Sequence, residues 1–214
     1  MEIQHNTLLR IDSDDINEGI LYLPESVTKI EDSVIQNQPE LVKVVAPGVT
    51  TIGNVNFIKC TALTEFKAPV LTAIGNNNFI ECIALTDFEA PKLTTIGDLN
   101  FIVCETLTAF EFPRLTTIGN SNFRYCMLTD FKAPALISIS EGNFYECPVL
   151  KDFVAPSLIA IEDHNFTICN ALTRFEAPVL IAIGWDNFQS CPALTVFEAP
   201  ALRDVGNNNF KERN

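Results

Sequence analysis

A repeat of 22 residues constrains this chain of 214 residues more than any other feature. One 21-residue step interrupts it, after the fourth of seven cysteines: Cys60, Cys82, Cys104, Cys126, Cys147, Cys169 and Cys191. Eight prolines keep the same spacing from Pro47 to Pro200. A fixed period in the twenties is typical of a solenoid, in which similar coils stack along one axis.

The phenylalanines follow the same repeat. Fifteen of the sixteen fall into two columns, one containing Phe66 and the other Phe57. Phe112 stands outside both columns, at a place that holds alanine in the other full repeats. Because a single coil cannot bury its own apolar side, such columns predict coils stacked in register around one continuous core.

Each repeat reads C-x-x-L-x-x-F-x-A-P-x-L-x-x-I-G-x-x-N-F-x-x, which divides into two halves. The L-x-x-F-x-A part alternates apolar and variable residues, as a short strand does, and the proline after it ends that strand. In the I-G-x-x-N-F part, glycine favours a tight turn. We therefore expect parallel strands on one face and turns with short 3₁₀ segments on the other.

The stretch LTEFKAPVLTAIGNNNFIEC (63–82) and its seven relatives resemble the BspA-like class of leucine-rich repeat. The resemblance implies a leucine-rich-repeat solenoid of about nine coils over residues 20–210, between an acidic N-terminal cap segment (1–19) and a C-terminal tail (211–214). It departs from the family in one column, because asparagine stands before the second phenylalanine where the family usually has alanine. The family includes surface adhesins and secreted proteins that engage a host, so the resemblance also implies protein binding without enzymatic activity.

The charge distribution argues against some partners. The formal net charge is −13, and residues 1–40 carry nine acids against two basic residues. An acidic chain does not favour nucleic acid or anionic membrane surfaces. No apolar run approaches the ~18 residues that a membrane span needs. Residues 1–20 show no basic region followed by an apolar core, so no secretory signal is indicated and the location is left open among cytoplasmic, exported and extracellular.

The cysteines are predicted to be core residues rather than reactive groups. A nucleophilic thiol needs a nearby histidine or other cation, and two histidines cannot serve seven equivalent cysteines. The spacing contains no C-x₂-C pair of the kind that zinc sites use. Disulfides along the column are conceivable but have poor geometry. We therefore predict no catalytic residue, no metal site and no cofactor.

The asparagine column invites a ligand-binding interpretation, but a structural one is preferred. Its eight members recur at one place in every full coil: Asn56, Asn78, Asn100, Asn122, Asn143, Asn165, Asn187 and Asn209. A polar residue at such a place, beside core phenylalanine, is expected to satisfy backbone groups left open at a turn.

The side chains that flank the strand phenylalanine point outward and are the candidate site. The predicted partner-binding residues are the following charged members: Glu65, Lys67, Asp87, Glu89, Glu111, Asp130, Lys132, Asp152, Arg174 and Glu176. Stacking in register predicts four like-charge pairs on adjacent coils: Glu65 with Asp87, Glu89 with Glu111, Asp130 with Asp152, and Glu176 with Glu198. Such pairs are mildly destabilising, so they suggest a partner with basic groups. The alternative is that an acidic protein shows acids wherever water reaches.

The sequence thus predicts a protein-binding module that uses the outward side of its strands. A structural array without a single partner, or an enzyme with an unrecognised site, are the alternatives. Trp185, the only tryptophan, is either a contact residue or a ring laid over its own coil surface. An open last coil is expected either to allow self-association or to continue in a longer native chain.

Overall fold

In a computed structural model, which describes residues 1–211, the chain forms the predicted solenoid of about nine coils. One three-residue strand per coil is centred on the strand phenylalanine column or its equivalent. This first row comprises β4 (Ile20–Tyr22), β6 (Lys43–Val45), β8 (Glu65–Lys67), β10 (Asp87–Glu89), β12 (Ala109–Glu111), β14 (Asp130–Lys132), β16 (Asp152–Val154), β18 (Arg174–Glu176) and β20 (Val196–Glu198). Where neighbours in the row pair, they are parallel and in register.

A second row begins with a four-residue strand near the N-terminus and continues with two-residue strands that each follow a proline turn. It comprises β2 (Thr7–Arg10), β5 (Lys29–Ile30), β7 (Thr51–Ile52), β9 (Ala73–Ile74), β11 (Thr95–Ile96), β13 (Thr117–Ile118), β15 (Ser138–Ile139), β17 (Ala160–Ile161), β19 (Ala182–Ile183) and β21 (Asp204–Val205). With β1 (Glu2–Gln4) these form one eleven-stranded sheet. In residues 1–211 the single 3₁₀ helix is Ser13–Asp15, so the 3₁₀ segments expected opposite the first row are replaced by turns and this second row.

The turns opposite the first row have an unusual backbone. In most coils three residues other than glycine adopt positive φ, for example Asn77 (57°), Phe79 (56°) and Glu81 (56°). The repeat glycine, by contrast, serves close approach between coils rather than positive φ. A Cβ on Gly75 would lie 2.8 Å from the Gly53 carbonyl oxygen of the preceding coil.

The first residues cover one end of the solenoid. β1 and β2 form an antiparallel hairpin, and β2 pairs in parallel with β5. β3 (Ile16–Asn17) pairs antiparallel with β4. The boundaries at residues 19/20 and 210/211 stay predictions, and residues 212–214 of the expected tail lie outside the described part.

The two phenylalanine columns form the centre of the core. Rings within a column stack, as Phe57 and Phe79 do at 4.7 Å between centroids. Rings in opposite columns meet edge to face, as Phe57 and Phe66 do at 5.3 Å. Members of the two columns from Phe57 to Phe188 are buried or nearly so, with Phe88 partly buried. The N-F segments therefore lie across the core from the first row.

The first row is interrupted twice, between β10 and β12 and between β14 and β16. At the first interruption, buried Phe112 takes the place of alanine and its ring contacts Phe110 at 4.8 Å and Phe88 at 6.1 Å. The Phe88 and Phe110 rings are 5.9 Å apart and tilted by 49°, whereas Phe66 and Phe88 stack at 5.0 Å. The added ring therefore lies where the strand ladder opens. At the second interruption the Phe131 and Phe153 rings are 5.8 Å apart.

Candidate functional site

The outward side of the first row, here called the strand face, contains all ten predicted partner-binding residues. Each stands immediately before or after a buried or partly buried residue in its strand, so the period of two places it away from the core. Glu65, Lys67 and Glu176 are half-buried, and the other seven are exposed. Their role in binding a partner stays a prediction.

Two of the four predicted like-charge pairs are in register. Glu65 lies opposite Asp87, and Glu176 lies opposite Glu198. The other two expectations were wrong, since Glu89 and Glu111, like Asp130 and Asp152, face each other across the interruptions and do not pair.

Several acids on the strand face have a basic neighbour instead. Cross-strand partners of opposite charge are Glu89 with Lys67, Glu111 with Lys132, and Asp152 with Arg174. Glu65 has two, because the Lys43 ammonium lies 2.6 Å from its carboxylate and Lys67 also pairs with it. Hydrogen bonds from Lys43 and Lys67 hold the pKa of Glu65 below its ordinary value. The N-terminal part of the strand face is therefore less repulsive than the sequence pattern suggests.

Four acids of the strand face that form no ion pair within 4.0 Å among the described residues converge at the first interruption. A cleft of about 490 Å³ opens between β10 and β12, here called the strand-face cleft. Four carboxylates, one lysine and aromatic or proline groups line it: Asp87, Glu89, Glu111, Asp130, Lys132, Phe88, Phe110, Pro91 and Pro113. No ion pair joins these four carboxylates to a cation within residues 1–211. The cleft is thus an acidic, apolar-floored depression in the centre of the strand face.

The asparagine column is a hydrogen-bonded ladder, as predicted. The Asn78 backbone N–H donates to Asn100 Oδ1 (2.8 Å), and the Asn100 N–H donates to Asn122 Oδ1 (2.8 Å). Asn100 Nδ2 donates to the Asp98 carbonyl within its own coil (3.1 Å). The seven members from Asn56 to Asn187 are fully buried. These amides therefore complete the backbone and are not free for a ligand.

A second ladder, which the sequence reasoning missed, follows the repeat glycine. The Asp98 backbone N–H donates to Asn76 Oδ1 (2.7 Å), and the Asn120 N–H donates to Asp98 Oδ1 (2.6 Å). The recurrence of Asn or Asp directly after glycine was the available signal. At the start of this ladder, the Asn54 N–H lowers the pKa of Asp32.

Trp185 occupies a place in the second ladder. Its indole cannot accept a backbone N–H as Asn or Asp does, so the series of side-chain acceptors ends there. Its backbone N–H still donates to Asp163 Oδ1 (2.7 Å). The side chain is 57% exposed, and a Cβ on Gly206 would collide with its ring. The ring therefore lies over the next coil with one part open to solvent, and its role as a contact residue stays a prediction.

All seven cysteines are buried thiols, as predicted. Each thiol from Cys82 onward donates to a phenylalanine carbonyl of the preceding coil, as Cys82 Sγ does to Phe57 O (2.9 Å). Burial raises the pKa of the Cys60 thiol to about 11, and burial also raises the pKa of Cys104 and Cys169 well above the ordinary thiol value. Such thiols are structural hydrophobes with a weak donor, not nucleophiles.

Residues 1–211 contain neither a cluster of metal-ligating side chains nor a membrane-spanning helix. Within residues 1–211, no three His, Cys, Asp or Glu side chains are placed to hold one metal ion. No helix in this part of the chain has the length and apolarity of a membrane span. The expectation that the protein lacks cofactors and catalysis stays a prediction.

The parallel strands, stacked phenylalanines and asparagine ladder define the class of protein as a leucine-rich-repeat solenoid. The sequence profile described as a BspA type leucine rich repeat region, in six copies, matches residues 18–106 and 94–214. The chain belongs to this family.

Solved structures share the fold. A leucine rich cell surface protein from Faecalibacterium prausnitzii superposes with a TM-score of 0.69 at 21% identity, over 97% of this chain and 72% of that one. A leucine rich repeat protein from T. pallidum gives 0.56 at 19% identity, over 82% and 78% of the two chains. At these identities the likeness concerns the fold alone. No curated protein matches the sequence.

Proposed function

We propose that this protein binds a protein partner through its strand face, at a site centred on the strand-face cleft. The ten predicted residues form a rigid row whose outward side chains the core does not use. Solenoid surfaces of this kind are extended and can vary without unfolding the array. The observation that carries the proposal is the convergence of Asp87, Glu89, Glu111 and Asp130 on one cleft.

The cleft favours a partner that presents basic groups next to an apolar group. Its four carboxylates outnumber Lys132, so a guanidinium or ammonium placed there gains opposite charges at short range. Phe88 and Phe110 offer the apolar floor on which the stem of an arginine or lysine packs. Attraction of this kind weakens as salt is added.

The proposal extends to where the protein acts. Family resemblance suggests a surface-exposed or secreted protein that engages a host, and the F. prausnitzii neighbour is named a cell surface protein. Protease accessibility of the native protein on intact cells, with a cytoplasmic marker as control, tests this part separately. Complete protection would contradict it.

The test of the site compares three forms of the protein with the same fold. In the first variant, Asp87, Glu89 and Glu111 are replaced by lysine. In the matched control, Glu40, Glu105 and Glu162 are replaced by lysine, which changes the net charge equally at exposed positions outside the cleft. Asp98 and Asp163 are unsuitable as controls, because their carboxylates accept backbone N–H groups of the next coil.

Capture of partners from extracts is then quantified by mass spectrometry for the three forms at low and high salt. We expect proteins held by the wild type and the control to be lost from the cleft variant, and to be released by salt. Retention by the cleft variant would overturn the site. If the control loses them instead, the partner binds elsewhere, for example beside Trp185.

We also propose that the 214-residue chain self-associates through its last coil. No described strand pairs with the outer edge of β20 or β21. Phe197, Ala199 and Leu202 are only partly buried there, beside a cavity of about 530 Å³. Exposed strand edges and apolar groups favour pairing with another chain. The opposite end is covered by the β1–β2 hairpin, so the association is expected to stop at a dimer.

A further inference from the structure

One column of residues in the turns opposite the strand face changes from apolar to polar or amphipathic halfway along the solenoid. The residue after the N-F pair is isoleucine in three successive coils, at Ile58, Ile80 and Ile102. In the next four coils it is polar or amphipathic: Arg124, Tyr145, Thr167 and Gln189. The core below this column does not change, since the same phenylalanines stack beneath it. The polar stretch is thus a local surface feature and not a requirement of the fold.

A second irregularity lies beside it. The residue before the N-F pair has positive φ in each coil and carries a side chain in Ser121 and His164, but it is Gly142 between them. A Cβ at Gly142 would meet only Ser121 within 4 Å, and that at 3.1 Å from its hydroxyl, so the missing side chain leaves space. A pocket of about 410 Å³ occupies this place. Its lining, here called the turn-side pocket, is Ser121, Arg124, Glu141, Gly142, Tyr145, His164, Thr167, Ile168, Gln189 and Ser190.

Arg124 is the distinctive group in the turn-side pocket. Its guanidinium carbon lies 4.8 Å from the Tyr145 ring centre and 5.6 Å from that of Tyr125. These contacts place the guanidinium over the faces of the two tyrosine rings, at distances typical of cation–π interactions. Within residues 1–211 no carboxylate lies within 4.0 Å of it, and its Nε–H is buried without an acceptor. By contrast, Arg10 and Arg174 each pair with an acid on their own strand or beside it.

We propose that the turn-side pocket binds a ligand through a carboxylate group, which Arg124 receives. A half-buried guanidinium that is held by rings and lacks an acceptor is suited to a planar carboxylate. The neighbouring hydroxyl groups of Ser121 and Thr167 and the imidazole of His164 offer hydrogen bonds to the rest of the ligand. The volume matches that of small-molecule pockets.

The surrounding charges narrow the ligand to a monoanion. Glu141 is the acidic residue of the lining, and it is exposed at the rim. The carboxylate of nearby Asp186 accepts a hydrogen bond from Gln189 Nε2 (2.6 Å) and so stays close to the pocket. Glu146 adds a third acid, because its side chain hydrogen-bonds that of Tyr145. With three acids near one arginine, a doubly charged phosphate is repelled more than a single carboxylate. The source is either a small free acid or the C-terminus of a peptide.

Titration with four probes tests the pocket, using the amide signals of Gly142, His164 and Thr167 and the Arg124 Nε–H signal in nuclear magnetic resonance spectra. The probes are acetate, N-acetyltriglycine, its uncharged amide, and inorganic phosphate. We expect a saturable shift of these signals with acetate or N-acetyltriglycine, and none with the amide. Stronger binding of N-acetyltriglycine identifies a peptide terminus, and stronger binding of acetate identifies a small acid.

Two variants test whether the shifts of the resonance signals come from binding in the turn-side pocket. Arg124→Gln is expected to weaken carboxylate binding by about tenfold or more, since a charged hydrogen bond is lost. Gly142→Ser restores the side chain that Ser121 and His164 carry and is expected to block the pocket without unfolding the coil. The control is Arg114→Gln, which removes the same charge from an exposed site outside the pocket.

The proposal is overturned if no carboxylate probe gives a saturable shift, if phosphate or the amide binds as well as N-acetyltriglycine, or if Arg124→Gln binds like the wild type. Unchanged signals from remote coils in each variant show that the fold is intact. Since this pocket lies across the core from the strand face, failure here leaves the proposed partner site untouched.

Discussion

Replacing Asn100 by alanine tests the asparagine ladder where it is fully buried. The substitution removes Oδ1, the acceptor of the Asn78 backbone N–H at 2.8 Å. It also removes Nδ2, a donor to the Asp98 carbonyl, but that carbonyl keeps the Asn77 N–H at 2.8 Å. One buried donor is therefore left without a partner, and such a loss costs about 1–3 kcal/mol in the free energy of unfolding. In a chain of this size, about 2 kcal/mol lowers the melting temperature by roughly 4–8 °C.

The assay is urea unfolding followed by circular dichroism, together with hydrogen exchange of the Asn78 amide. Asn77→Ala is the matched control, because it removes a side-chain amide of the same kind from the residue immediately before the column member Asn78. Asn77 has φ of 57°, a conformation that asparagine tolerates better than alanine, so the control is expected to cost about 1 kcal/mol or less. Equal destabilisation by the two substitutions, or an Asn78 amide that exchanges as slowly as in the wild type, would refute the ladder as a source of stability.

Three further outcomes follow from the core, the interruption and the open end. Because burial raises the pKa of the thiols in the folded protein, the thiols of the unfolded state ionise first, above about pH 9, and the free energy of unfolding should fall until the folded thiols also ionise. Alanine at Cys82 and Cys104 should reduce this fall between about pH 8 and pH 10 in urea titrations. An unchanged dependence of the free energy on pH would contradict the prediction. Phe112→Ala should let β10 and β12 pair, which would slow hydrogen exchange at the Ala90 amide toward that of Ala68; no slowing would exclude the ring as the cause of the interruption. Light scattering should show a concentration-dependent dimer that Val205→Lys on β21 disrupts, and a monomer at high concentration would rule out pairing through that end.

The fold was predictable because its determinants repeat. Each column of phenylalanine, cysteine or asparagine reports one position in the coil many times over, so the burial of Cys104 or Asn100 follows from the pattern alone. The 3₁₀ expectation failed because two-residue strands such as Thr95–Ile96 have no alternation long enough to recognise.

The candidate site was only partly predictable. The outward direction of Asp87 or Glu111 follows from the period of two, but which charges face each other depends on whether neighbouring strands pair. The row is interrupted at two places, one of them beside Phe112, and neither place is indicated by the period, so two of the four expected like-charge pairs do not form across paired strands. The turn-side pocket depends on the absence of a side chain at Gly142, which matters only when three coils are compared in space.

The continuous stack of phenylalanine rings also determines how the molecule should respond to force. Each coil holds only its neighbours, and the β1–β2 hairpin protects one end. Pulled by its two termini, the chain is therefore expected to peel from the β21 end, one coil at a time. Each event should release 22 residues, or about 70 Å of extended chain, giving evenly spaced steps in an optical-trap recording. The solenoid would then lengthen in fixed increments under load.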